Sequence, residues 1–101
     1  MSYPVPIKPE ARADAAEAAR WYSELGVILA ERFLSAVRVA VGEIGQNPTA
    51  HPLVDPDTGA RRIRIRGFPY RLFYLIEPAR VVVFAIAHDK RDQRVWHNRL
   101  E

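Results

Sequence analysis

The apolar residues of this chain change their spacing once, and that change fixes most of what it can fold into. From Pro9 to Ile44 they recur with the period of a helix; from Arg61 to Ala87 they alternate or run continuously, as in strands. Helices first and strands after give an α+β plan, with the helices gathered on one face of an antiparallel sheet.

Local signals place the elements. Pro9 suits the first turn of a helix and Glu10 favours its dipole, while Ala11, Ala15, Ala18 and Tyr22 form one stripe, so helix one is expected over Pro9–Leu25. Gly26 is positioned to end it in a left-handed conformation. A second helix is expected over Val27–Ile44, with Ala30, Phe33, Val37, Val41 and Ile44 on one stripe, Leu34 beside it and Gly42 weakening the last turn. So short a link makes the two an antiparallel hairpin. Ahead of them, Tyr3–Ile7 carries Pro4 and Pro6, which confine it to a sheet edge or a loose arm. Gly45-Gln46-Asn47-Pro48 stops helix two, and Thr49–Gly59, with Pro52 and Pro56, reads as a surface loop. Three strands follow, over Arg61–Arg66, Tyr70–Ile76 and Val81–Ala87, joined by short turns into a meander, and a short C-terminal helical turn carries Trp96. The order is β-α-α-β-β-β, with the second sheet face left open.

With 101 residues, 49% of them hydrophobic, the chain is expected to form a single domain over 1–101. No apolar run approaches the ~20 residues that span a bilayer, and the N-terminus lacks the layout of a secretory signal, so a cytoplasmic protein without membrane contact is expected. The absence of cysteine excludes disulfides and thiolate metal sites, and His51, His88 and His97 have no metal-gathering spacing. Neither metal nor cofactor is expected.

Charge is divided unevenly. Residues 1–57 hold five basic and eight acidic side chains, whereas 58–101 hold ten basic and four acidic. Strand alternation turns Ile63 and Ile65 inward and Arg62, Arg64 and Arg66 to the opposite face, and Arg71, Arg91 and Arg94 follow nearby. Such a basic surface fits an anionic partner, either nucleic acid or an acidic protein segment. One or two such arginines would be only the solvated face of a sheet; five between Arg61 and Arg71 favour a functional surface.

Gly67-Phe68-Pro69-Tyr70-Arg71-Leu72-Phe73-Tyr74, the strand Val81–Ala87, and His88 with Lys90-Arg91-Asp92 and Trp96 resemble the RelE/ParE superfamily of toxins from type II toxin-antitoxin modules, its ParE-like branch in particular. Upstream, Pro9-Glu10-Ala11 with Asp14, the Trp21-Tyr22 pair and Glu31-Arg32-Phe33 are similar to that family's two helices. The chain departs from the pattern at Asp92-Gln93, where a proline is usual, and at Lys8, where Ser or Thr usually caps the first helix. The resemblance implies a bacterial plasmid-stabilisation toxin held inactive by a cognate acidic antitoxin, meeting operator DNA only through that antitoxin. It also implies one of two targets: DNA gyrase, inhibited by stoichiometric binding, or the ribosome, on which messenger RNA is cut.

Cleavage by a 2′-hydroxyl needs a base, an acid and cations for the phosphate. Arg64, Arg66, Arg71 and Arg91 supply cations; proton-transfer groups are scarce. His88 shares strand parity with Phe84 and Ile86 and is expected to face the core. His97 is the one catalytic candidate if the chain is a ribonuclease. Tyr70 and Tyr74 read as core or sheet-face residues, Trp96 as an anchor for the terminal turn, and His51 carries no expected role. Gyrase inhibition by binding is therefore the leading expectation and the endoribonuclease the alternative.

Overall fold

The computed structural model describes residues 2–100, without the side chains of Asp92 and Gln93. Helix α1 spans Pro9–Leu25 and α2 spans Val27–Gln46; a 3-10 turn over Pro48–Ala50 leads to β1 (Leu53–Asp55), β2 (Ala60–Ile65), β3 (Tyr70–Glu77), β4 (Arg80–His88) and α3 (Asp92–Arg99). The strands form one antiparallel sheet in the order β1-β2-β3-β4.

The stripes read from the sequence are the faces that the helices bury. Ala11, Ala18 and Tyr22 of α1 and Phe33, Val37, Ala40 and Ile44 of α2 pack over Ile63, Ile65, Leu72, Tyr74, Val81, Val83 and Ile86. Gly26 is not left-handed: its φ of 164° is extended backbone, and its carbonyl accepts from the N–H groups of Leu29 and Ala30. The residue that ends α1 is thus also the N-cap of α2, a position that takes extended geometry. The second helix runs on through Gly42 to Gln46, and the glycine that matters is Gly45. A Cβ there would lie 3.0 Å from Val5 Cγ2 and 3.2 Å from the Tyr3 carbonyl, so its bareness admits the N-terminal arm.

That arm lies parallel to the outer edge of β4. Val81 and Val83 donate to the carbonyls of Pro4 and Pro6, and the Lys8 N–H donates to Val83 O. The two prolines give up donors, but their carbonyls are the groups this edge uses.

Two expectations need correction. The segment 49–59 is not wholly loop: Leu53 and Asp55 pair with Arg61 and Ala60 as β1, a strand too short and too close to Pro52 and Pro56 to show a period. Nor does the second sheet face stay open. Val95, Trp96 and Leu100 lie over Ala60, Phe73, Phe84, Ala85 and Ala87, with the Trp96 ring stacked 6.3 Å from Phe73, so the indole is the anchor its position implies.

A bulge makes room for this second core. Opposite Phe73 and Tyr74, β4 places Ala85 and Val83, leaving Phe84 as the extra residue. Phe84, Ala85 and Ala87 therefore face α3 while Ile86 faces the helix hairpin. Phe84 and Ile86, two residues apart, do not share a face as uninterrupted alternation predicts.

Fully buried Tyr74 spans the layers, its hydroxyl donating to the Pro48 carbonyl at 2.6 Å. Burial pushes its phenol up to about 12 from an ordinary 10.0, with the Arg61 guanidinium pulling the other way. Because the folded state holds this proton more tightly than the unfolded chain, the stabilisation is complete below pH ~10 and is lost as pH rises toward about 12. We expect about 2–3 kcal/mol to disappear over that window. Urea midpoints measured against pH should show the fall, and Tyr74→Phe should remove the largest part of the slope.

Candidate functional site

Two concavities divide the basic residues. The first is an open cleft of about 430 Å³ lined by Arg62, Arg64, Arg66, Arg71, Glu43, His51, Pro52 and Ile63. Four of the six arginines read as one surface thus meet in one place. Arg64 and Arg71 are direct cross-strand partners, and both stand 3.5 Å from the carboxylate of Asp89. Arg66 lies just past the end of β2 and turns to Glu43 of α2 at 3.1 Å, not along the row of Arg62 and Arg64. Arg61, sharing parity with Ile63, is structural: its guanidinium donates to the carbonyls of His51 at 2.6 Å and Thr49 at 3.2 Å, fastening the loop that forms one wall.

The second is a groove of about 540 Å³ between α1 and the ends of β3 and β4. Trp21, Tyr22, Tyr70 and His88 line it, with Asp14 and Glu17 on the α1 side and Lys90 and Arg91 opposite. Its floor belongs to an aromatic cluster in which Tyr22, Phe33, Phe68 and Tyr70 meet edge-on or tilted. Burial raises the Tyr70 phenol, Arg91 offsets part of that, and Glu17 adds to it; burial and then Tyr70 raise Tyr22. Both stay protonated donors at neutral pH.

His88 follows Ile86 to the hairpin side, where its ring lies 5.2 Å from Tyr70. Its Nδ1 accepts the Lys90 N–H at 3.1 Å, which fixes the neutral ring as the Nε2–H tautomer. With Nδ1 so engaged, Nε2 is the ring nitrogen left to the groove. His97 is exposed on α3 beside Trp96 and lines neither concavity. Arg91 caps the start of α3 and lines the groove, while Arg94 is exposed on α3 and lines neither.

Two features escape sequence reasoning. Glu43 and His51 join the arginine cleft because the end of α2 and the following turn pack beside β2, and neither residue sits in a motif. Asp14 and Arg99, 85 residues apart, form a bidentate pair: Asp14 Oδ2 also accepts the Ile86 N–H at 2.9 Å, and Arg99 also donates to Phe84 O at 3.1 Å. This clamp satisfies the edge of β4 where the N-terminal arm ends and ties α3 to α1. The bond to Asp14 raises the Arg99 guanidinium, burial opposing it.

Among the described residues no three His, Asp or Glu side chains gather as metal ligands, and no helix is long and apolar enough to cross a membrane.

The geometry has relatives. A solved structure of the chromosomal ParDE toxin-antitoxin system from P. aeruginosa superposes with a TM-score of 0.76 at 15% identity, over 86% of this chain and 96% of that one. The toxin-antitoxin complex RelBE2 from Mycobacterium tuberculosis matches at 28% identity and a TM-score of 0.60, over 87% and 92%. A mutant of the E. coli toxin RelE in the free state matches at 21% identity and a TM-score of 0.60, over 99% and 96%. No curated protein is significantly similar in sequence. The family model for the ParE toxin of the type II toxin-antitoxin system parDE matches residues 5–93. By that match over most of its length, the chain belongs to the ParE toxin family of type II toxin-antitoxin systems.

Proposed function

We propose that this toxin, held inactive by a cognate antitoxin, acts by binding DNA gyrase stoichiometrically. The observation that carries the reading is the family match over residues 5–93 to a parDE toxin. The site geometry is compatible with it: the candidate His97 lies away from the arginine cleft, and His88 Nδ1 is taken up by the Lys90 N–H. Inhibition by binding needs a charged, shaped surface and no proton-transfer pair.

One observation favours the second reading, cleavage of ribosome-bound messenger RNA. His51 and Glu43 share the cleft with four arginines, the residue types that phosphodiester cleavage uses. The test runs both assays on the purified chain. Gyrase supercoiling should fall in proportion to the molar ratio of toxin, and messenger RNA in a translating extract should stay intact. Arg64→Glu should abolish toxicity while changing stability by no more than ~0.5 kcal/mol, because the side chain is more than half exposed. His88→Gln and His97→Ala, if folded, should remain toxic. Codon-positioned cuts that are lost in His51→Ala or Glu43→Gln, with gyrase unaffected, would install the ribonuclease reading instead; a general acid or base contributes ~10²–10⁴-fold.

A further inference from the structure

Like charges set directly opposite on neighbouring strands repel, and Arg64 faces Arg71 in that way. A carboxylate shared between them offsets the repulsion. Asp89, just beyond β4, stands 3.5 Å from Arg64 Nη1 through Oδ2 and 3.5 Å from Arg71 Nε through Oδ1. Well-formed bonds between a guanidinium and a carboxylate are ~2.7–2.9 Å. Among the described residues, Asp89 Oδ1 is buried yet accepts no hydrogen bond. The carboxylate thus neutralises the pair without using the fork geometry that guanidinium offers an oxyanion.

We propose that the cleft beside β2 binds the carboxylates of an acidic peptide segment, and that Asp89 is the internal counter-ion such a segment displaces. Among the described residues four guanidiniums line the cleft with one carboxylate, Glu43, and Asp89 adds a second beside Arg64 and Arg71, so the charge of the cleft stays positive and complementary to an acidic chain. Its arginines already hold carboxylates in this structure: Glu43 on Arg66, and Asp89 on Arg64 and Arg71. Nucleic acid fits less well. Single strands are held by basic grooves with aromatic platforms under the bases, but Trp96 is stacked on Phe73 and Trp21 and Tyr70 line the other groove, leaving His51 as the one ring in the cleft. The proposal rests on the reading of the chain as a toxin held by an antitoxin for the identity of the partner, and places that partner's acidic residues.

Purified chain titrated with a fluorescent oligo-glutamate peptide, and separately with length-matched oligo-deoxythymidine, tests the site without gyrase, toxicity or a native antitoxin. The peptide should bind more tightly than the oligonucleotide. Arg62→Gln and Arg64→Gln should each weaken it about tenfold, whereas Arg38→Gln, exposed on α2 and outside the cleft lining, should leave it unchanged. The Asp89 variants are decisive. Asp89→Asn, which removes the competitor, should strengthen peptide binding about threefold, and Asp89→Glu, whose longer side chain reaches the guanidiniums, should weaken it. Weakening by both would make Asp89 a positioning residue and overturn the displacement. Should Asp89→Asn fail to fold, the Asp89→Glu titration decides alone: unchanged affinity sinks the proposal. Tighter binding of the oligonucleotide, or no saturable binding of the peptide, overturns it as well. Failure to recover an antitoxin from cells would instead count against the toxin-antitoxin reading.

Discussion

Phe33→Ala should cost about 3–5 kcal/mol, the largest loss expected from any single side chain here. Phe33 is fully buried, with ring centroids 5.3 Å from Tyr22, 5.2 Å from Phe68 and 5.3 Å from Tyr70. Truncation removes the transfer energy of a phenyl group and leaves a void that neighbours on α1, β3 and the turn before β3 cannot all collapse into. Since each kcal/mol moves the melting temperature of a domain this size by ~5 °C, a drop of roughly 15–25 °C should appear in calorimetry. A loss below roughly 5 °C would mean the cluster is not packed as described.

Asp14→Ala should follow, at about 2–4 kcal/mol. The substitution strands the Arg99 guanidinium, which is three-quarters buried, and leaves the Ile86 N–H without its acceptor. Asp14→Asn keeps an acceptor for that N–H and loses only the charge, so its loss should be smaller. Urea unfolding ranks the three proteins, and hydrogen exchange at the Ile86 amide reports the edge directly. It should quicken in Asp14→Ala well before global unfolding, together with loosening of α3. Wild-type stability in Asp14→Ala would show that the Trp96 contacts hold α3 alone.

Much of this architecture is legible in the sequence for identifiable reasons. Pro9 and Gly26 punctuate α1 so firmly that its limits, Pro9–Leu25, are those the pattern gives. The alternation of Ile63 and Ile65 with arginines sets which face of β2 enters the hairpin core. What stays hidden depends on tertiary neighbours. Strand β1 has three residues, too few for a period, and exists because Leu53 and Asp55 meet β2. The bulge at Phe84 has no local signature in an unbroken apolar run, yet it decides which of Phe84, Ala85, Ile86 and Ala87 serve which core. For the site, the arginine row is readable from spacing, but its surroundings are not: Glu43 and His51 line the cleft and Asp89 pairs with Arg64 and Arg71, from three separate segments.

The short reach of β1 has a further consequence. It pairs with β2 only at Arg61 and Ala60, so beyond Arg62 no strand lies beside the outer margin of the sheet among the described residues. Unpaired backbone of this kind invites a strand from another molecule, and charged side chains along it are a common deterrent to self-assembly. At the opposite margin, the N-terminal arm and the Asp14–Arg99 clamp occupy the backbone of β4. One margin is therefore sealed by bonding and the other guarded by Arg62, Arg64 and Arg66. Neutralising those three together should let two copies pair edge to edge through that one margin, a dimer that closes because the other margin is sealed.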